Sequence, residues 1–424
     1  MTEQHMKESL MSGYRALDLT DEKGFLCGRI LGGLGADVIK IEKPSGDPAR
    51  NIGPFYKDIP DPEKSLYWFF CNACKRGITL DIETVDGRQI FERLVKTADF
   101  VIESYAPGYM ESLGLGYSAL SQINPRIILT SITPFGQTGP YKDFKPSELT
   151  TWAMGGMMFM TGNPDRPPVQ VSHPQAYYFG GLHGAVGSMV AHYYRELTGD
   201  GQHVDVSIQQ GCVLTLMYAA EYWDLLKINL GRMSGFWFTP RPEPYGPLRA
   251  EMFFRCKDGW VMPIITGAQA GLVKSSQELT KVAVETGVAD ELEGLDWTKF
   301  DTSTISQEER SRIDEAFGRF FLTKTKEELM QLAVEKAIVM GPINDVKDLW
   351  ESRHLSAKGF WKKVEHPELG ETIAYPGPPV EISEAPWMVT PRAPLIGEHN
   401  GDIYEKELGF PKEQLTMLKA RGII

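Results

Sequence analysis

YRALDLTDEKGFLCGRILGGLGADVIKIE, residues 14–42, decides how the chain begins to fold. YRALDLT (14–20) is a short apolar run of strand type. FLCGRILGGLG (25–35) carries apolar residues at helical spacing and ends in glycines, and ADVIKIE (36–42) is a second apolar strand. Two parallel strands cannot be joined by a tight turn, so a helix between two such runs predicts a parallel crossover. The alternation continues through RGITLDI (76–82), DGRQIFERLVKTA (86–98), DFVIESY (99–105) and RIILTSIT (126–133). That rhythm predicts an α/β fold, a parallel sheet with helices on both faces. LGGLGADV superficially has the look of a dinucleotide fingerprint. Its glycines end a helix and lead into a strand, the reverse of the order such a site needs. They read instead as a helix end with close helix–sheet packing.

Further along, TTWAMGGMMFM and YYFGGLHGAVGSMVAHYYRELTG, within 151–222, are apolar, small-residue-rich helices. Gly180, Gly181, Gly184 and Gly187 give the second a smooth face for another backbone. From about 231 the character changes. RMSGFWFTPRPEPYGP cannot be one regular element. MFFRCKDGWVMPII is a hairpin with Asp258-Gly259 at its turn, and polar helices follow at 268–286, 306–320 and 325–336. The expected division is a large domain over 1–224, a smaller α+β domain over 225–345, and a C-terminal segment, 346–424. That segment is too poor in apolar periodicity for a core of its own, so it is expected to pack back on the large domain.

The net charge of −12 argues against nucleic acid or an anionic membrane surface as partner. No apolar run reaches transmembrane length, and the N-terminal stretch lacks the apolar core of a signal peptide. Five cysteines without a regular framework fit a reducing, cytoplasmic setting. Cys71 and Cys74 form a lone C-x-x-C. With no second pair to complete a zinc site, no metal is expected.

Four segments in this order carry a resemblance: DLTDEKGFLCGRILGGLGADVIKIEKPSGDPAR, NACKRGITLDI, TGDGQHVDVSIQQG and APLIGEHNGDIYEKELGF. From about residue 14 to 422 the chain resembles the class III CoA-transferases, a family that includes formyl-CoA transferases, carnitine CoA-transferases and alpha-methylacyl-CoA racemases. The resemblance implies a Rossmann-like large domain, a small domain, and two chains interlocked as a dimer. It implies coenzyme A or an acyl-CoA as substrate, with no permanently bound cofactor. The chemistry needs a carboxylate nucleophile. An aspartate attacks the thioester to give a mixed anhydride, and the released thiolate returns to make an aspartyl-CoA thioester. The acceptor acid then reverses both steps. Lys, Arg and backbone N–H groups hold the phosphates and the developing oxyanion.

In the family that aspartate precedes T-G-x-G-Q by a fixed distance in a D-x-x-x-G pattern. Counting back from Thr198, Gly199, Gly201 and Gln202, with Gly181 as the glycine, the aspartate position falls on Tyr177. No Asp or Glu lies between Asp165 and Glu196. A phenol of ordinary pKa near ~10 is a poor replacement. Glu148, His173, His183 and Glu221 are the substitutes that sequence offers. The resemblance assigns CoA contacts to Lys43, Asn72, Lys75, Tyr105 and Lys145. Against it stand Ser112, where a phosphate-binding Arg is usual, Ser104 in place of Asn, and acidic Asp21 and Glu22 near the phosphates.

The expectation is therefore a silent subunit, inactive alone, of a heteromeric class III CoA-transferase whose same-fold partner carries the aspartate. For such a pair the resemblance points to succinyl-CoA as donor and benzylsuccinate as acceptor, a step in aromatic degradation. The alternatives are a self-sufficient transferase using another carboxylate and a non-enzymatic acyl-CoA-binding protein. A racemase would also need the missing aspartate.

Overall fold

The computed structural model describes residues 9–233, 235–239, 241, 246, 248–267 and 269–424. In chain order the elements are β1 (Arg15–Leu19), α1 (Phe25–Gly33), β2 (Asp37–Glu42), α2 (Leu66–Asn72), β3 (Lys75–Thr79), α3 (Val85–Val95), β4 (Phe100–Glu103), α4 (Tyr109–Ser112), α5 (Tyr117–Ile123), β5 (Ile128–Thr133), α6 (Glu148–Met154), α7 (Met157–Met160), α8 (Gln175–Thr198), β6 (His203–Ser207), α9 (Ile208–Leu214) and α10 (Ala219–Leu226). There follow β7 (Phe236–Thr239), β8 (Leu248–Glu251), β9 (Phe254–Cys256), β10 (Gly259–Pro263), α11 (Ala270–Glu285), α12 (Gln307–Phe321), α13 (Lys326–Lys336), β11 (Met340–Ile343), α14 (Val346–Trp350) and α15 (Arg353–Ala357). The chain ends with β12 (Trp361–His366), β13 (Glu371–Pro376), a π-helix (Gly401–Glu407) and α16 (Lys412–Ala420).

Six strands form one sheet in the order β3-β2-β1-β4-β5-β6, every pair parallel. This is the α/β fold that the opening stretch predicts. The strands are apolar on both faces because helices cover both. Leu17, Ile39, Val101 and Leu129 point into one core with Phe91, Leu94 and Leu120. Ala16, Val38, Phe100 and Ile128 point into the other, with Cys27, Leu31 and Ala185. Ile403, Tyr404, Leu418 and Ile423 of the tail join the first of these cores.

Two compact units emerge. One runs to Met158 and adds Gln170–Ile228 and Ser356–Ile424; the other holds Phe159–Val169 and Asn229–Leu355. The second unit has its own core, with Phe254, Val261, Leu279, Trp297, Phe317 and Leu329 at its centre. The expected hairpin forms as β9 and β10, with its turn one residue earlier than Asp258-Gly259, at Lys257-Asp258, because Gly259 pairs with Cys256 as the first residue of β10, and β11 pairs with β10 as a third strand. Much of the FTPRPEPYG stretch lies outside the described residues. The helix expected over TTWAMGGMMFM is two pieces, α6 and α7, broken at Gly156, which sits at φ +86. Beside it Gly155 packs so closely on Cys212 that a Cβ would lie 2.4 Å from the Cys212 Cβ. No helix among the described residues is long and apolar enough to cross a membrane.

Candidate active site

The strand order reverses direction at β1: the chain builds β2 and β3 on one side, then β4 and β5 on the other. The crevice beyond the C-terminal ends of β1 and β4 is the place where open α/β sheets bind ligands. Here the loop after β1 supplies Thr20, Asp21 and Glu22, and the loop after β4 supplies Ser104 and Tyr105. The two loops are tied together. Asp21 N donates to Ser104 Oγ at 2.8 Å, and Ser104 Oγ donates to Asp21 Oδ1 at 2.8 Å. Glu103 ends β4 fully inside and accepts from Tyr105 N at 2.7 Å. Burial, only partly offset by the Ser131 and Tyr105 hydrogen bonds, pushes its carboxyl up to about 7.

Of the residues expected to contact CoA, two groups separate. Lys43 and Tyr105 come together at the surface through two residues the sequence reading did not select. Lys43 Nζ pairs with Glu83 at 3.0 Å, Tyr109 donates its hydroxyl to the same carboxylate oxygen at 2.7 Å, and the Tyr105 and Tyr109 rings lie 4.6 Å apart. The result is an aromatic shelf beside a lysine whose charge already has a partner.

Lys75 and Asn72 instead lie inside, 1% and 0% exposed. Lys75 Nζ donates to Asp18 Oδ2 at 2.7 Å, Asn72 Oδ1 at 2.8 Å and the Phe25 carbonyl at 2.9 Å, which engages all three of its protons. Burial alone would raise the Asp18 carboxyl; Lys75, then Lys40, outweigh it and hold it below the ordinary carboxylate value. This buried pair also explains Gly28 on α1, where a Cβ would lie 2.2 Å from Asp18 Oδ2. Lys145 is exposed in the loop before α6.

Tyr177 stands in the first turn of α8, 8% exposed. Gly181, one turn on, lets α8 press against α1, since a Cβ there would lie 2.7 Å from Leu26 Cβ. Burial first, then the negative fields of Glu22, Asp21 and Glu148, push the Tyr177 phenol well above its ordinary range. It is a neutral group in an acidic surround. Glu148 opens α6 behind the capping box formed by Ser147 and Thr150. Its own carboxylate reaches across to the start of α8, where Oε1 accepts from Ala176 N at 3.1 Å and Oε2 from Gln170 Nε2. α8 has no side-chain cap of its own, so Glu148 satisfies one of its free N–H groups. Burial raises the Glu148 carboxyl despite both bonds. His173 is exposed just before α8. His183 Nδ1 meets the Phe179 carbonyl of its own helix at 2.8 Å, and Glu221 is exposed on α10.

The C-x-x-C thiols are free and buried, and burial pushes both up to about 11. Among the described residues no three His, Cys, Asp or Glu side chains are grouped to hold a metal.

A family model described as CoA-transferase family III matches residues 11–400. The chain belongs to that family. The chain is similar to subunit BbsE of succinyl-CoA:(R)-benzylsuccinate CoA-transferase from Thauera aromatica, 32% identical over 97% of this chain and 98% of the relative. Formyl-CoA:oxalate CoA-transferase of Streptomyces avermitilis is also 32% identical, over 98% of this chain and 99% of that protein. A crystal structure of a CAIB/BAIF family protein from Brucella suis superposes with a TM-score of 0.78 at 28% identity, covering 94% of this chain and 99% of that one. In this member of the transferase family the switch-point crevice carries two acidic residues beyond β1, and a tyrosine stands in the first turn of α8. Glu83, Tyr109 and Glu103 went unselected because nothing in LDIET, APGYM or FVIES distinguishes them; only the sheet's C-terminal edge collects them.

Proposed function

We propose that this chain is the non-catalytic subunit of a two-subunit class III CoA-transferase that moves CoA from succinyl-CoA to benzylsuccinate, with a same-fold partner supplying the nucleophilic aspartate. Tyr177 carries this reading. At the position counted as the family's aspartate stands a phenol held neutral by burial and by three surrounding carboxylates. A neutral phenol is neither a competent nucleophile nor a tolerable acyl acceptor there. Repulsion from Glu22, beside an Asp21 already paired with Lys23, also opposes a CoA phosphate or a developing oxyanion. Glu148, the substitute carboxylate bonded to the start of Tyr177's helix, has both oxygens engaged, one by Ala176 N of α8 and the other by Gln170. The BbsE relative is itself one subunit of a succinyl-CoA-dependent enzyme, which supports both the heteromer and the donor.

In this reading the partner's aspartate attacks succinyl-CoA, the thiolate leaves and returns to form the aspartyl-CoA thioester, and succinate departs. The acceptor carboxylate then takes the CoA by the reverse steps. The present chain contributes the interlocked second half of the dimer. Its surface groups for a nucleotide are Lys43, Tyr105, Tyr109 and Lys145, while Lys75 and Asn72 brace the loop beneath. The test is covalent trapping. The co-purified pair is incubated with succinyl-CoA, quenched with hydroxylamine, and each chain weighed intact. Modification of the partner alone is expected. Modification of this chain would overturn the reading, and the labelled peptide would decide between Glu148 and Glu221.

A further inference from the structure

We propose that Arg29 anchors a carboxylate of the acceptor acid, with Phe70 and Tyr178 taking the acid's aromatic or apolar body. The proposal deepens the transferase reading and rests on it for the role of the acid.

Arg29 projects from α1 and lays its guanidinium over the Phe70 ring of α2, Cζ to centroid 3.9 Å. Tyr178 meets Phe70 edge-on, centroids 6.3 Å apart. Tyr178 directly follows Tyr177 on α8 and turns onto the next face of the helix, Tyr177 packing into one apolar cluster and Tyr178 into another, so the niche flanks the position counted as the reacting one. Tyr67, Phe70 and Tyr178 form a half-buried aromatic rim on one apolar cluster.

What sets Arg29 apart is the lack of an anion. Its unit holds other inward-facing arginines, and five are paired: Arg15 and Arg76 with Asp37 and Glu407, Arg50 with Glu42 and Glu63, Arg195 with Asp99, and Arg392 with Glu368 and Glu398. Arg29, half-buried, has neither a hydrogen bond nor an ion pair with any described residue. Burial pulls its pKa down, and the groups acting against that are Cys71, Cys74, Tyr375 and Tyr178. All four are neutral at pH 7: the thiols lie up at about 11, Tyr178 at about 12, and Tyr375 higher still.

A guanidinium withdrawn from water without a counter-charge is costly to keep. Stacking on a ring occupies its face and leaves its edge N–H groups free, the geometry that grips a carboxylate with two parallel bonds. The Tyr178 phenol, protonated at pH 7, is a further donor. Aromatic walls beside one cation select an organic acid with an apolar body over a small hydrated anion.

The experiment uses the full chain co-purified with its same-fold partner. Titration calorimetry measures benzylsuccinate, its neutral diamide, and CoA, against the wild type, Arg29→Gln and Arg29→Lys. The expected result is benzylsuccinate affinity at least tenfold weaker in Arg29→Gln and intermediate in Arg29→Lys. Diamide and CoA affinities should not change, and the ligand-free Tm of Arg29→Gln should be no lower than wild type. Equal benzylsuccinate affinity in all three proteins, or no binding to the wild type, overturns the proposal. Loss of CoA affinity instead assigns the slot to a phosphate, and loss of the co-purified partner assigns it to a partner carboxylate; either result overturns it too. Arg29-dependent binding of the acid in a complex that transfers no CoA would leave this site standing and remove the transferase reading.

Discussion

Trp68 and Phe70, two residues apart on α2, each carry an arginine 3.9 Å from the ring centroid. The two pairs are alike in distance and opposite in what surrounds them. Arg50, over Trp68, is buried and saturated. It binds Glu42 through Nε at 2.7 Å and Nη2 at 2.8 Å, Glu63 at 2.7 Å, and the Pro394 carbonyl at 2.9 Å. Trp68 Nε1 donates to that same carbonyl at 3.1 Å, so the cluster fastens the C-terminal segment onto the sheet. Arg29, over Phe70, fastens nothing among the described residues. A guanidinium with every donor engaged is a structural clamp. One with its edge free is available to something outside the chain.

The comparison breaks or holds on stability first. Arg50→Gln strips a buried counter-charge from Glu42, and breaking such a pair costs about 3–5 kcal/mol. The same substitution at Arg29 should cost nothing measurable, leaving stability within ~0.5 kcal/mol of wild type, because no described residue pairs with its charge. Urea denaturation of the two variants side by side decides this, and equal losses would erase the distinction.

Lys75→Met tests whether a second saturated cation behaves like Arg50. It leaves Asp18 buried against Lys40 alone and should cost about 3 kcal/mol at neutral pH. Because the folded chain holds the Asp18 carboxyl below its ordinary value, the pair's contribution is complete above the unfolded pKa near ~3.9 and is lost as pH falls through the folded value. The gap between variant and wild type should therefore narrow in acid, which Tm measured from pH 7 down to pH 3 would show.

Glu103 is the anionic counterpart of Arg29, a buried carboxyl with no cation bound to it. Its folded pKa of about 7 lies above the ordinary glutamate value near ~4.3. The folded chain thus keeps a proton that the unfolded chain releases, and stability falls as pH rises through that window. At about 1.4 kcal/mol per pH unit the whole effect is ~4 kcal/mol at most. Glu103→Gln keeps an acceptor for Tyr105 N and should flatten the decline between pH 5 and 8. A slope unchanged in the variant would mean that Glu103 is ionised throughout.

The parallel sheet was legible because its strands are continuous apolar runs separated by helical spacing, and both signals are local. The β9–β10 hairpin was legible for the same reason, though its turn falls at Lys257-Asp258, one residue before the expected pair. The third strand of that sheet, β11, was not, since Met340–Ile343 pairs with β10 across a long sequence separation. The site was legible in part. Counting singles out Tyr177 for attention, but its acidic surround depends on Glu22, Asp21 and Glu148 meeting from two distant segments. Lys75 shows the limit of reading a basic residue as a ligand contact. The same NACKRG could present the lysine to solvent or bury it, and only Asp18, delivered by β1, draws it inside.

By itself the sequence determined the alternation of strands and helices that opens the chain, the family, and the stretch from Arg166 to Arg195 without a carboxylate. Each is a property of neighbours along the chain or of spacing within a motif. Tertiary structure alone decided which charges are neutralised: Lys43 by Glu83, Lys75 by Asp18, Arg50 by Glu42, and Arg29 by nothing described. Charge pairing acts through space over a few ångströms and in proportion to burial, and neither distance nor burial between remote residues is written in their order along the chain.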